Sequence, residues 1–216
     1  MGLRELKKEQ TRELIADTAW RLFADRGFDR VTVAEVAREA VVAPATVFNY
    51  FPTKEDLFFF RLEAFGAHLV EAIDKRPPGE PALDAFRRFL LQPAGLLAQL
   101  DGGDPHALER LRTVNRMIAA SPALQAREQR ALSGYADALA TLLAQETGAA
   151  ADDVRARVAA NAMMGVQRTL IDYVRRRILD DDKPERLATD VRRLGKRAFA
   201  LLSEGLGDYA AKPPND

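Results

Sequence analysis

Cysteine is missing from all 216 residues, so disulfides and thiol catalysis are excluded. Histidine is nearly missing: the two present, His68 and His106, stand far apart and form no pair at metal-ligand spacing. No apolar run reaches 18 residues, so no membrane span is expected. The leading stretch, MGLRELKKEQTRELIADTAW, has no apolar core of a secretory signal, and a cytoplasmic location is expected. Glycine-rich phosphate loops and nucleophile motifs are absent too. Catalysis would have to rest on carboxylates or lysines, and nothing singles any out; no catalytic residue, cofactor or metal is expected. Nor does one sign of charge prevail: 32 basic residues balance 32 acidic ones. Bulk charge therefore does not hold this chain to nucleic acid. What remains is 47% hydrophobic and 30% charged, enough to bury a sizeable core.

The informative stretch is Val31–Leu57, VTVAEVAREAVVAPATVFNYFPTKEDL. Thr32 is a good N-cap, and Glu35 sits at capping-box spacing from it. Val33, Val36, Ala37 and Ala40 then mark one buried helical face. After a turn at Val41-Val42, Pro44 suits the first turn of a second helix, where its missing N–H is not needed. Pro52 disfavours helix at Phe51 and ends it. Thr53 caps a third helix, with Asp56 at its third position. Two short helices joined by a tight turn are a helix-turn-helix. Val47 and Phe51 lie on the side of the second helix that can bury. Thr46, Asn49 and Tyr50 lie towards the other, with donors and acceptors at their tips. Asn can pair with the edge of adenine, and Thr can offer a methyl to thymine or a hydroxyl to phosphate. Lys54 can reach a phosphate. Arg4, Lys7, Lys8 and Arg12 are further local cations, with a solvated leading segment as the plain alternative.

These residues, with Phe23, Gly27 and Phe28 upstream, resemble the N-terminal DNA-binding domain of the TetR family of transcriptional regulators over roughly residues 10–60. The resemblance implies that the Pro44–Phe51 helix enters the major groove. It implies DNA-facing roles for Thr32, Pro44, Ala45, Thr46, Phe48, Asn49 and Tyr50, and a phosphate contact for Lys54. Two positions depart from the family pattern. Val41 stands where Gly is usual, and a left-handed backbone there costs a β-branched residue about 1–2 kcal/mol. Ala43 stands where Ser or another capping residue is frequent, and a lost cap costs ~1 kcal/mol.

Helical spacing continues through the chain. A first helix is expected over about 10–26, with Leu14, Ile15, Thr18, Ala19, Leu22 and Phe23 on its buried face and Gly27 as its stop. Trp20, off that stripe, is read as packing between head and body. One helix is expected over about 54–75, another over 81–100 with a break at Pro93, and others over 106–120, 121–147, 152–179 and 185–206. Asn115 is a candidate buried polar group. The 152–179 helix carries Met163, Leu170 and Val174 on one face and Val154, Val158, Asn161, Gly165, Arg168 and Asp172 on the other, as in a central or subunit-contact helix. Arg168 and Asp172, four apart, can pair.

The expectation is an all-α chain of about nine helices: a DNA-binding head over 1–56, a ligand-binding and dimerisation body over 57–207, and a loose tail over 208–216. The resemblance implies a homodimer built on the last two helices, reading a near-palindromic double-stranded operator. It also implies a small-molecule effector that binds the released state better than the DNA-bound one. SPALQAREQRALSGYADALA and the helix after it are similar to C-terminal domains associated with acyl-CoA-like ligands. Phe86, Phe89, Met117, Met163 and Met164 are candidate pocket walls; Asn115, Asn161, Gln167 and Arg168 are candidate polar contacts. Core packing is the plain alternative for the walls, and the dimer contact for Asn161 and Arg168. The function expected is a ligand-released repressor. Two other readings stand beside it: a helical dimer that binds small molecules but has lost DNA binding through Val41 and Ala43, and an enzyme.

Overall fold

A computed structural model describes residues 2–60, 64–92, 105–180 and 186–205. These residues form ten helices and no strand: α1 Leu3–Arg26, α2 Val33–Glu39, α3 Pro44–Tyr50, α4 Lys54–Phe59, α5 Ala64–Asp74, α6 Ala82–Leu91, α7 Pro105–Ala120, α8 Pro122–Glu146, α9 Val154–Leu179 and α10 Leu187–Glu204. The all-helical expectation of about nine helices is met closely. Pro93, Leu96, Leu97 and Leu100, and the tail over 208–216, lie outside the described residues, as do 61–63 within the expected 54–75 helix.

The chain divides into two compact units. The first holds Met1–Phe65 and Thr113–Ala131; the second holds Gly66–Arg112 and Leu132–Asp216. In the first unit α1 packs on α2 and α4, and α2 packs on α3. Ile15, Ala19 and Phe23 of α1 meet Val36 and Ala37 of α2, Val47 of α3 and Leu57 and Phe58 of α4 in one apolar core. Val114, Met117, Ile118 and Leu124 complete that core from α7 and α8. Phe58 organises its aromatic part, with ring centroids 5.7 Å from Phe28, 5.9 Å from Trp20 and 6.3 Å from Phe23. Trp20 is thus a packing residue of this unit's own core.

Two polar clamps tie Thr113–Ala131 to the rest of the first unit. The Ser121 hydroxyl donates to Asp29 Oδ1 at 2.9 Å, and Arg127 Nε donates to Asp56 Oδ1 at 2.9 Å. Two sequence expectations for α1 are corrected. It begins at Leu3 rather than near Gln10, because the Glu5 carboxylate accepts the Gly2 N–H at 3.0 Å and caps a run of good helix formers. Leu14, expected on the buried face, is half exposed, and the face turns on Ile15, Ala16, Ala19 and Phe23 instead. Gly27 ends the helix as expected, at φ 83°, with its N–H on the Phe23 carbonyl at 2.8 Å.

In the second unit α9 packs on α10 and both pack on α6. The Phe86 and Phe199 rings stand 5.9 Å apart. Gly195 allows the close approach of α10: a Cβ there would lie 2.6 Å from Leu91 Cδ2. Gly66 does the same for α5, since any side chain would enter the Tyr135 ring. Arg76 closes the ends of α5 and α8 with a two-pronged bond to Glu146, at 2.7 and 2.5 Å, while also donating to the Ile73 and Glu80 carbonyls. Asp172 takes Arg175 as its cation at 3.9 Å, three residues on, rather than Arg168, which is exposed and has no ion pair among the described residues.

Candidate nucleic-acid interface and effector residues

The helix-turn-helix is built from local rules. At the start of α2 the Thr32 N–H and hydroxyl both donate to Glu35 Oε2 at 2.8 Å, and the Glu35 N–H returns to the Thr32 hydroxyl at 3.2 Å. The Thr32 N–H, and after it the hydroxyl, holds the Glu35 carboxyl below the ordinary carboxylate range. At its end the Val42 N–H bonds the Ala37 carbonyl at 2.9 Å and the Val41 N–H bonds the Arg38 carbonyl at 3.2 Å. That pair of bonds is a Schellman motif, which needs a left-handed residue at Val41. Val41 supplies it at φ 57°, the one non-glycine with positive φ among the described residues, and stands 89% exposed. The turn keeps the shape that glycine would take, at the strain of a branched residue.

Ala43 precedes α3 in extended backbone and offers no side-chain cap, as expected; Pro44 occupies the first helical turn. Val47 is fully buried and anchors α3, and the Phe51 N–H closes the helix on the Val47 carbonyl at 2.9 Å. Val47 and Phe51 therefore fix the rotation of α3 about its axis. Pro44, Ala45, Phe48 and Asn49 face outward, with Thr46 and Tyr50 half exposed. Phe48 is 51% exposed, unusual for so large an apolar ring.

α4 begins with a second capping box, in which the Thr53 hydroxyl donates to Asp56 Oδ2 at 2.8 Å and accepts the Asp56 N–H at 3.2 Å. Burial alone would raise the Asp56 carboxyl; the hydrogen bonds from Thr53 and Arg127 outweigh it and hold the group below its ordinary range. The Lys54 ammonium turns back on the protein. It donates to the Phe28 and Val31 carbonyls at 3.0 and 3.1 Å and lies 4.1 Å from the Phe28 ring centroid. Two of its three N–H groups are thus spent on the loop between α1 and α2.

Asn49 and Tyr50 also line a shallow cleft of about 610 Å³ together with Glu5, Lys8, Glu9 and Arg12 of α1. The Arg12 guanidinium lies 4.4 Å from the Phe60 ring centroid and 5.7 Å from that of Phe51. Sequence reasoning named Lys8 and Arg12 but passed over Glu5 and Glu9. The signal was available: Glu5–Glu9 and Lys8–Arg12 are both four apart and share a helix side once α1 starts at Leu3.

The nine effector candidates do not form one group. Phe86, Phe89, Met163, Met164 and Gln167 are buried in the second unit, the last three on one face of α9. Asn115 and Met117 are buried in the first unit, Met117 within the core that holds Val47. Asn161 and Arg168 are exposed on α9, where the Asn161 side chain donates to the Arg157 carbonyl at 2.9 Å. Among the described residues no cluster of three His, Asp or Glu is placed to hold a metal, and no helix is long and apolar enough to cross a membrane.

Comparison with known proteins agrees with this architecture. Residues 15–59 match the family described as "Bacterial regulatory proteins, tetR family", and residues 81–207 match the "MftR C-terminal domain". The HTH-type transcriptional regulator TcmR of Streptomyces glaucescens is 31% identical over 157 residues, covering 70% of this chain and 67% of TcmR. Among solved structures, native NalD, the secondary repressor of the MexAB-OprM multidrug efflux pump in Pseudomonas aeruginosa, superposes with a TM-score of 0.58 at 20% identity, over 90% of this chain and 96% of NalD. The SmeT–triclosan complex shares the fold with a TM-score of 0.53 at 18% identity, over 95% of this chain and 96% of SmeT. With both halves matched by family and a regulator related along most of its length, the chain belongs to the TetR family of bacterial regulatory proteins and is a DNA-binding transcriptional regulator.

Proposed function

We propose that this chain is a cytoplasmic repressor that acts by binding and release, with no catalytic turnover. Residues 1–56 read DNA; residues 57–207 dimerise and bind the effector. Two α3 helices of a homodimer engage successive major-groove half-sites of a near-palindrome. Asn49 and Tyr50 supply directional contacts to base edges or backbone, and Thr46 a methyl or hydroxyl. Pro44, Ala45 and Phe48 supply apolar contact, and Thr32 and Lys54 face phosphate. Lys54 does so with its one remaining N–H, which makes it a short-range contact rather than a reaching one.

The observation that carries this reading is the exposed face of α3, aimed by buried Val47 and Phe51 and containing a half-exposed Phe48 beside Asn49. A side chain of that size held in water fits a surface that is covered on binding. The strain at Val41 does not undo the turn, because both Schellman hydrogen bonds are made. That favours a working reader over the reading in which DNA binding has been lost.

The effector is a small hydrophobic or acyl-type molecule bound by the body. Support comes from the buried apolar face of α9, which carries Met163 and Met164, and from the likeness of the body to acyl-associated domains. Tyr50→Ala tests the DNA reading. Specific affinity should fall about 10- to 100-fold, the equivalent of ~1–3 kcal/mol for one good base contact, with helicity and dimerisation unchanged. Unchanged specific affinity would mean that α3 is not the reading helix.

A further inference from the structure

Gln167 is a buried neutral residue of the second unit whose side-chain oxygen is left without a hydrogen-bond partner among the described residues. It is 2% exposed, and its Oε1 accepts no hydrogen bond. Its neighbours on the buried face of α9 are Met163 and Met164 one turn back and Leu170 one turn on. Leu170 fixes where that face points, since its Cδ1 stands 3.3 Å from the position of a Cβ on Gly195 of α10. A carboxamide acceptor buried on a helix face with Met163, Met164 and Leu170, and without a hydrogen-bond partner, has lost water and gained nothing in exchange. A leucine or methionine there would pack without that loss. The buried polar residues Thr18, Asn115 and Ser121 all belong to the first unit, so among the described residues Gln167 is the buried polar side chain of the second.

Resting on the reading of the body as the binder of a hydrophobic effector, we propose that Gln167 selects the effector's head group. Its Oε1 accepts a hydrogen bond from a donor at the polar end of an otherwise apolar ligand, a hydroxyl or an amide N–H. Met163 and Met164 flank the chain next to that head; their unbranched thioethers adapt to different chain shapes. An effector with only acceptors at its polar end leaves Oε1 unpaired in the complex and binds less well. A site that hydrogen-bonds a ligand donor discriminates strongly against the analogue lacking it, for that reason.

The test compares the full-length protein with its Gln167→Met variant, which keeps the volume and removes the carboxamide. Dodecanol, dodecanamide and methyl dodecanoate share one chain length and differ in whether the head carries a donor. Ligand-free Gln167→Met should melt at the same temperature as the parent or higher. The parent should bind dodecanol and dodecanamide at least tenfold more tightly than the methyl ester, and the variant should lose that preference. A lower melting temperature for the ligand-free variant would overturn the proposal, because the carboxamide would then be satisfied within the resting protein, as by a buried water. Equal binding of the three probes by the parent, or a preference that survives in the variant, would overturn it while leaving the effector reading intact. Binding of none of the three would instead remove the hydrophobic-effector class itself, and the proposal with it.

Discussion

Val41 is the residue at which this chain departs most clearly from the physics of its own turn. The Schellman geometry requires a left-handed residue, and valine adopts φ 57° there while almost fully solvated. Exposure limits the damage: the branched side chain collides with its own backbone and with little else. Val41→Gly should therefore relieve about 1–2 kcal/mol of strain, less the ~0.5–1 kcal/mol that a flexible unfolded glycine gives back. The net expectation is a modest rise in the denaturant midpoint of the first unit, with the slope unchanged. A fall in the midpoint would show that the valine side chain contributes something its exposure does not suggest. The left-handed backbone at Val41 was expected from the resemblance, because the TetR family usually has glycine at that position. The inward turn of Lys54 was not. Its carbonyl partners on Phe28 and Val31 lie more than twenty residues back, and a lysine before a helix reads the same whether it reaches outward or home.

Among the elements, the short helices were the most legible and the long ones the least. Both capping boxes, Thr32 with Glu35 and Thr53 with Asp56, close over three residues, and both form as the spacing implied. The rotation of α1 was harder. Leu14 and Ala16 flank Ile15 at 100° on either side of the helix, and only tertiary packing decides which of the two is buried with it. The second partner of Asp56 was out of reach, because Arg127 lies 71 residues away. That bond has a pH signature. The Asp56 carboxyl is depressed in the folded chain, so it stays ionised where the unfolded chain would already be protonated. Its contribution is complete above the ordinary aspartate pKa, near 3.8, and is lost as pH falls through the lower folded value. Asp56→Asn should accordingly lower the stability of the first unit at neutral pH and flatten its decline on the acid side. The check is a series of denaturant melts from neutral pH to below pH 3.8, followed by a probe within the first unit. An equally steep acid decline in the variant would remove Asp56 from the account.

For the whole molecule, the sequence displayed the fold class and the reading helix, but not the composition of the two units. Thr113–Ala131 packs with the helix-turn-helix through Val114, Met117, Ile118 and Leu124. Nothing in a local apolar period says which of two cores it will join, and Met117, named beforehand as a pocket wall, belongs to that core. The face of α9 left bare in a single chain was visible in advance as a second stripe. Val154 and Val158 are 72% and 61% exposed on it, in line with Asn161, Gly165 and Arg168. A homodimer would cover this face, so Val158→Asp should shift the protein toward a monomer by light scattering while its helical content stays the same. A variant that remains a dimer would place the contact elsewhere.

The central claim is that α3 reads a specific operator and that a ligand in the body releases it. The most direct measurement is a mobility-shift titration of the full chain against DNA flanking its own gene. It should be run beside an unrelated duplex at two salt concentrations, with and without a long-chain acyl-CoA, and repeated with Tyr50→Ala. The account predicts sequence-specific binding that weakens with salt, is lost in Tyr50→Ala, and is released by the acyl compound. Equal affinity for flanking and unrelated DNA, unaltered by Tyr50→Ala in a protein that is a folded dimer, would contradict it.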